Sequence, residues 1–292
     1  VNNAQVNASA QQICDFGTES AQSLHLGREN CAKTHAVFVA TMAFLLSIKV
    51  EKGTLMKRIG LIGGMSWEST ATYYRMINEA VRDSRGGLVS ADIVMHSLDF
   101  SEVVALQKAD RWDEAGALLG AAGARLANAG ADCVLICTNT MHLVADTVAK
   151  MSGVALIDII DETAAALKTD GRRKPLLLAT RYTMEHGFYT DRMRRHGVDV
   201  VVPDAEDRAA IHDIIFGELC QGEIKSCSRD RYLAVIEKAR ALGVDSVILG
   251  CTEISLLIDP DALPLPGYDS TAIHAKAAVG FALGDKAFDR AA

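Results

Sequence analysis

Two short segments of this 292-residue sequence put thiol and hydroxyl side chains where an apolar run ends and a helical stretch begins. They are Cys137-Thr138-Asn139-Thr140-Met141-His142 and Gly250-Cys251-Thr252-Glu253. A thiol, with an ordinary pKa of about 8.5, needs only a modest downward shift to serve as a base near neutrality. N–H groups at the start of a helix can supply that shift and hold a carboxylate. Taken singly, each segment reads as a capped helix with a core-filling cysteine; their recurrence at matching places points to a paired reactive site. A third segment, Gly63-Gly64-Met65-Ser66-Trp67-Glu68-Ser69-Thr70, has paired glycines that let a backbone approach a ligand closely. Its Ser66, Ser69 and Thr70 can cap a helix and donate hydrogen bonds. It has neither the G-K-[ST] ending nor the G-x-G-x-x-G spacing of a phosphate loop.

The elements that position these segments alternate. Strands are expected at Arg58–Ile62, Asp92–His96, Cys133–Cys137, Ala155–Ile159, Leu176–Ala179, Val198–Val202, Ser246–Leu249 and Leu265–Tyr268. Helical spacing of apolar residues marks Glu68–Asp83, Asp113–Asn128, Asp204–Leu219 and Arg229–Leu242. Strands alternating with helices imply parallel sheets wrapped by helices. The two halves also resemble each other. Gly130, Asp132 and Val134 match Gly243, Asp245 and Val247 at a constant separation of 113 residues, and Arg58 stands to Lys174 in a similar way. We expect a duplicated α/β unit: two pseudo-symmetric lobes with mainly parallel sheets, and a cleft between them at the carboxyl ends of the strands. Residues 56–155 with 270–284 would form the first lobe and 156–269 the second.

Bulk properties fit this picture and exclude others. Hydrophobic residues make up 49% and aromatics only 5%, which disfavours an all-β fold. A net charge of −7 without a basic block gives no nucleic-acid footprint. The seven cysteines include no C-x-x-C pair, so neither a zinc site nor a disulfide framework is indicated. Residues 1–55 differ from the rest. Val1–Gln22 lacks periodicity, and the apolar run Ala36–Ile48 is too short to span a bilayer and has no cleavage site after it. We expect residues 1–55 to lie outside the fold, as an over-extended reading frame with Met56 as the start. The expected location is cytoplasmic, with no membrane partner.

Five separated motifs, GLIGGMSWEST, CTNTMH, ATRYTM, IIFGELCQG and GCTE, resemble the aspartate/glutamate racemase family in order and spacing, from Met56 to about Leu283. Within that family the chain looks like bacterial L-aspartate/glutamate-specific racemases. The resemblance implies two Rossmann-like lobes, no pyridoxal phosphate or other cofactor, no metal, and two facing proton-transfer groups that are usually both cysteines. It admits a homodimer, though no interface is legible. By this likeness Met65, Ser66, Gln107, Asn139, Thr140, Glu218 and Thr252 fall at substrate-binding positions, and Cys251 at a catalytic one. Gln107 and Glu218 would otherwise read as ordinary helix residues.

Two departures from the family pattern matter. Many relatives read Cys-Asn-Thr where this chain has Cys137-Thr138-Asn139-Thr140, so aligning Asn-Thr puts Thr138 at the second catalytic position. The 113-residue repeat independently pairs 138 with 251. Neighbouring strand side chains face opposite ways, so one of Thr138 and Cys137 faces the cleft; Thr138 is the expected partner and Cys137 the alternative. Glutamate racemases typically carry His where this chain has Glu253, which argues against strict glutamate specificity. The expected activity is interconversion of L and D amino acids, aspartate, glutamate or related, by two-base proton transfer. The alternatives are a single-cysteine decarboxylase or maleate-type isomerase, and a non-catalytic amino-acid-binding protein.

Overall fold

A computed structural model describes residues 56–284; the expectations for residues 1–55 fall outside the described part. Two parallel sheets organise it. The first has the order β2-β1-β3-β4, from β1 (Ile59–Gly63), β2 (Ile93–Ser97), β3 (Cys133–Ile136) and β4 (Ala155–Leu156). The second runs β5-β6-β7, from β5 (Pro175–Leu178), β6 (Ser246–Leu249) and β7 (Gly267–Asp269). Val201 adds a parallel bridge to Leu176 at the free side of β5. With that bridge both sheets have the same order, so the chain folds as two pseudo-symmetric α/β lobes.

The likeness extends to individual hydrogen bonds. At the start of each lobe an aspartate carboxylate accepts backbone N–H groups: Asp132 from Arg58 at 2.6 Å, and Asp245 from Arg173 at 2.7 Å and Lys174 at 3.0 Å. At the far end, Cys137 N donates to Ile62 O at 3.0 Å and Gly250 N to Leu178 O at 2.8 Å. Cys137 therefore matches Gly250, and Thr138 matches Cys251, in the ladder itself.

Strand alternation sorts the core of the first lobe onto two faces. Ile59, Leu61, Cys133, Leu135 and Cys137 pack with Tyr73, Ile77 and Val81 of α1 (Trp67–Arg85) and with Ala275 and Ala278 of the C-terminal helix, Ser270–Leu283. Ile62, Val134 and Ile136 face the other way, onto Leu119, Ala122 and Leu126 of the helix Trp112–Asn128 and onto Val148. The second lobe has a core of its own around Leu176–Ala179 and Val247–Leu249. Each fully buried Leu, Ile or Val contributes about 1.5–3 kcal/mol.

Two expected strands are much shorter than predicted. Val198–Val202 is reduced to the single bridge at Val201, because it is confined between Gly197, at φ +78°, and Pro203, which has no N–H to donate. The strand expected over Ala155–Ile159 ends at Leu156. Asp158 caps the helix Ile159–Thr169 instead, accepting from Ile160 N at 2.8 Å and Asp161 N at 3.3 Å. Among the described residues no helix is long and apolar enough to cross a membrane.

Candidate active site

The carboxyl ends of β1, β3, β5 and β6 meet at a cleft. From the first lobe, Met65, Ser66, Gln107, Thr138, Asn139 and Thr140 line it. From the second come Thr180, Gly250, Cys251, Thr252 and Glu253, and Phe100 of the first lobe with Ile215, Phe216 and Cys220 of the second closes the apolar side.

The loop after β1 is shaped by its glycines. A Cβ on Gly64, at φ +87°, would lie 2.1 Å from Leu98 O, and one on Gly63 would lie 2.3 Å from Thr70 Cγ2. The close approach that these glycines permit is to the protein's own chain, so the expectation that they make room for a ligand is corrected. They bring Ser66 to the cleft, where its hydroxyl accepts from Ser69 N at 3.2 Å as the cap of α1.

The turn after β3 is fixed from behind. Ile159 N donates to His142 Nε2 at 3.2 Å, which places the ring proton on Nδ1; Nδ1 donates to Thr138 O at 2.8 Å. Burial pushes the His142 pKa down to about 4, so the ring is neutral at physiological pH. Asn139 Nδ2 donates to Ser270 Oγ at 3.1 Å, leaving Asn139 Oδ1 buried and without a partner among the described residues. The Thr140 hydroxyl lies 3.0 Å from that of Thr180 and 3.1 Å from that of Thr183, joining the lobes through three hydroxyls. Gln107 is buried and donates to Met141 Sδ at 3.1 Å.

Cys137 and Thr138 part company here. Cys137 is fully buried in the apolar face behind the sheet, where burial pushes its thiol up, while Thr138 lines the cleft. Cys251 is half-buried, and its Sγ donates to Glu253 Oε2 at 2.9 Å. The other oxygen, Oε1, accepts from the Ser66 hydroxyl at 2.9 Å. Thr252 donates to Ser69 Oγ at 2.7 Å, and Ser69 in turn donates to Cys137 O at 3.1 Å. A seam of hydroxyls and one carboxylate therefore ties the two lobes beside the thiol.

This setting corrects the expectation of a lowered thiol pKa. Burial and then the Glu253 carboxylate hold the Cys251 thiol well above its ordinary value. The helix that should have lowered it, Ile254–Leu257, has only four residues and carries Glu253 at its start. Glu218 also departs from expectation: it caps the end of the helix Ala205–Gly217, accepts from Ser228 Oγ at 2.5 Å and pairs with Lys225 at 3.5 Å, and it does not line the cleft.

Several lining residues escape sequence reasoning. Phe100 lies in an ordinary apolar pattern and gives no local signal, whereas Ile215, Phe216 and Cys220 belong to the IIFGELCQG motif, in which only Glu218 was singled out. Thr180 belongs to the ATRYTM motif and could have been singled out there. The role of Glu253 as the hydrogen-bond partner of Cys251 has a signal only in its place two residues further along. Among the described residues lining the cleft none is Arg, Lys or His, and Glu253 is the sole charged one. No group of three or more His, Cys, Asp or Glu side chains among the described residues could hold a metal ion.

The family model for Asp/Glu/Hydantoin racemase matches residues 62–278. A candidate Asp/Glu racemase from Yersinia pestis is 50% identical, with 78% of this chain and 100% of that one covered and a TM-score of 0.74. An aspartate racemase homologue from Pyrococcus horikoshii is 35% identical, covering 78% and 99% at a TM-score of 0.70. The aspartate racemase of Picrophilus torridus is 23% identical, covers 78% and 94% at a TM-score of 0.62, and speaks for the fold alone.

Proposed function

The chain belongs to the Asp/Glu/Hydantoin racemase family, and we propose that it inverts the α-carbon of an acidic amino acid by proton transfer between Cys251 and Thr138. The observation that carries this reading is the matched hydrogen-bond register that puts these two residues at equivalent strand exits lining one cleft. Inversion needs a base on one face of the α-carbon and an acid on the other. The Cys251 thiol is the stronger acid of the pair; the Thr138 hydroxyl is much weaker and depends on rapid proton return from solvent.

The walls suit a zwitterion with a second carboxylate. Asn139 lines the cleft and its Oδ1 lacks a partner among the described residues, which supports giving it the substrate ammonium to accept from. Carboxylates would be held without a side-chain cation, by hydroxyls of Thr140 and Thr180. Donors fixed in place before the carbanion forms stabilise its charge without reorganising. The resemblance implies a reaction without a cofactor, in which these groups carry both transfers.

Incubation of L- and D-aspartate and L- and D-glutamate in heavy water, followed by NMR and polarimetry, tests the reading. Loss of the α-proton signal together with decay of optical rotation to zero from either enantiomer is the expected result. Release of carbon dioxide, or α-protons that persist in every amino acid tried, would overturn it.

A further inference from the structure

The chain passes from the first lobe to the second between Ile157, which packs in the first core, and Ile159, which packs in the second. It returns between Asp269 and the helix Ser270–Leu283. At both crossings an aspartate caps the outgoing helix: Asp158 at the first, and at the second Asp269, which accepts from Thr271 N at 2.8 Å and Ala272 N at 3.1 Å. The 113-residue repeat sets His142 against Ser255, and each reaches the crossing that follows its own sheet. Ser255 Oγ donates to Asp269 Oδ2 at 2.8 Å, and His142 Nε2 accepts from Ile159 N at 3.2 Å. The two differ in what they do at the strand exit. Cys251 O accepts from Ile254 N at 3.1 Å, within its own turn, whereas Thr138 O accepts from the His142 ring at 2.8 Å.

We propose that His142 is a positioning residue for Thr138, one that ties the main chain of the hydroxyl partner to the first crossing between the lobes. The proposal rests on the racemase reading. A neutral imidazole accepts at one nitrogen and donates at the other, so a single ring can bridge a backbone N–H and a backbone carbonyl. Ser69 Oγ donates to Cys137 O at 3.1 Å, so both peptide groups that flank the Thr138 Cα are held by side chains. Such fixing matters most for the weaker acid of the pair, because a displacement of about 1 Å can cost about a hundredfold in rate.

The ring has little freedom to turn. It is buried and meets the His274 ring edge-on, with centroids 5.6 Å apart. His274 is itself fixed, with Nε2 donating to Ile157 O at 2.8 Å and Nδ1 accepting from the Tyr73 hydroxyl at 2.8 Å. Two buried histidines therefore grip the first crossing from Ile157 to Ile159, and one of them reaches on to Thr138.

Two substitutions in the full chain separate the two ring contacts. An Asn side chain reaches as far as Nδ1 and can still donate to Thr138 O; a Gln side chain reaches as far as Nε2 and can still accept from Ile159 N. The first readout, in heavy water, compares inversion with deuterium washed into the recovered starting enantiomer, for the enantiomer whose α-hydrogen faces Cys251. In His142→Gln inversion should fall by about a hundredfold while exchange stays within about tenfold of wild type; in His142→Asn both should stay within about tenfold. A merely structural defect lowers exchange and inversion together. Equal loss of inversion in the two variants, or exchange falling in step with inversion, overturns the positioning role, while inversion by wild type upholds the racemase reading. The second readout needs no turnover: the NMR shift of the Thr138 carbonyl carbon in substrate-free, isotope-labelled protein. It should move in His142→Gln and keep its wild-type value in His142→Asn. A shift unchanged in His142→Gln, or moved equally in both, overturns the proposal whether or not the protein inverts any amino acid. If His142→Gln does not fold, His142→Asn decides: a moved Thr138 shift, or inversion lowered by about a hundredfold, contradicts the proposal, and wild-type values support it.

Discussion

Cys137 and Thr138 are adjacent, yet one side chain belongs to the core and the other to the cleft, so their replacement should separate cleanly. Cys137→Ala removes one sulfur from an apolar face and should cost about 1 kcal/mol of stability with activity within a few-fold of wild type. Thr138→Ala should lower inversion by at least about a hundredfold, a typical share for a positioned acid or base. Steady-state rates beside denaturant melts distinguish the two, and the reverse pattern would return the role to Cys137. Cys251→Ser should abolish inversion, since a serine hydroxyl is too weakly acidic to form the base; activity within about tenfold of wild type would remove Cys251 from the reaction. At this scale the sequence was informative where chemistry and repetition coincided. The separation of 113 residues that pairs 138 with 251 also pairs the backbone ladders that end beside them. It was silent on the electrostatics, because the raised thiol pKa depends on where the Glu253 carboxylate turns, and that depends on Ser66, 187 residues away.

At the scale of elements, most strands and four of the longer helices were legible from periodicity, while helices such as Phe100–Lys108, Ile159–Thr169 and Ser270–Leu283 were not marked out; two strand exceptions have local causes. Pro203 and Gly197 pinch one strand to a bridge, and the capping side chain of Asp158 converts another into a helix start. The β1–α1 loop depends on Gly64. Gly64→Ala, with its Cβ driven to 2.1 Å from Leu98 O at a positive φ, should destabilise by more than about 1 kcal/mol and displace Ser66 from the cleft. A thermal melt unchanged from wild type would contradict that. The helix Ile159–Thr169 offers a pH test. Burial, with Asp161 and Asp158 adding to it, pushes Glu162 up to about 7. A carboxyl group whose pKa rises on folding contributes fully below its unfolded value, about 4.3, and loses that contribution as pH climbs through 7. Glu162→Gln should therefore raise Tm more at pH 8 than at pH 5; a Tm difference that does not vary with pH would refute the assignment.

The described residues form two lobes of matching strand order that differ at the point where they face each other. The fold could be read early because the duplication repeats turn glycines, strand-start aspartates and buried strands, all of which leave marks in sequence. The cleft could be read only in part, since Phe100 reaches it by tertiary packing alone and, within the IIFGELCQG motif, Phe216 and Cys220 line it where Glu218 does not. Divergence at the facing ends, thiol with carboxylate against hydroxyl with hydroxyl, should make turnover one-sided. The equilibrium constant for a free amino acid is one, so kcat/KM must be equal in both directions. Any preference should appear as offsetting differences in kcat and KM. Initial rates from each pure enantiomer over a range of concentrations check this, and equal kcat values would count against Thr138. The most direct measurement is the behaviour of Thr138→Ala in heavy water. With the far-side acid gone and Cys251 intact, one enantiomer should still exchange its α-hydrogen for deuterium while inversion falls by about a hundredfold or more. Inversion within about tenfold of wild type, or exchange persisting equally in both enantiomers, would contradict a site built from Cys251 on one face and Thr138 on the other.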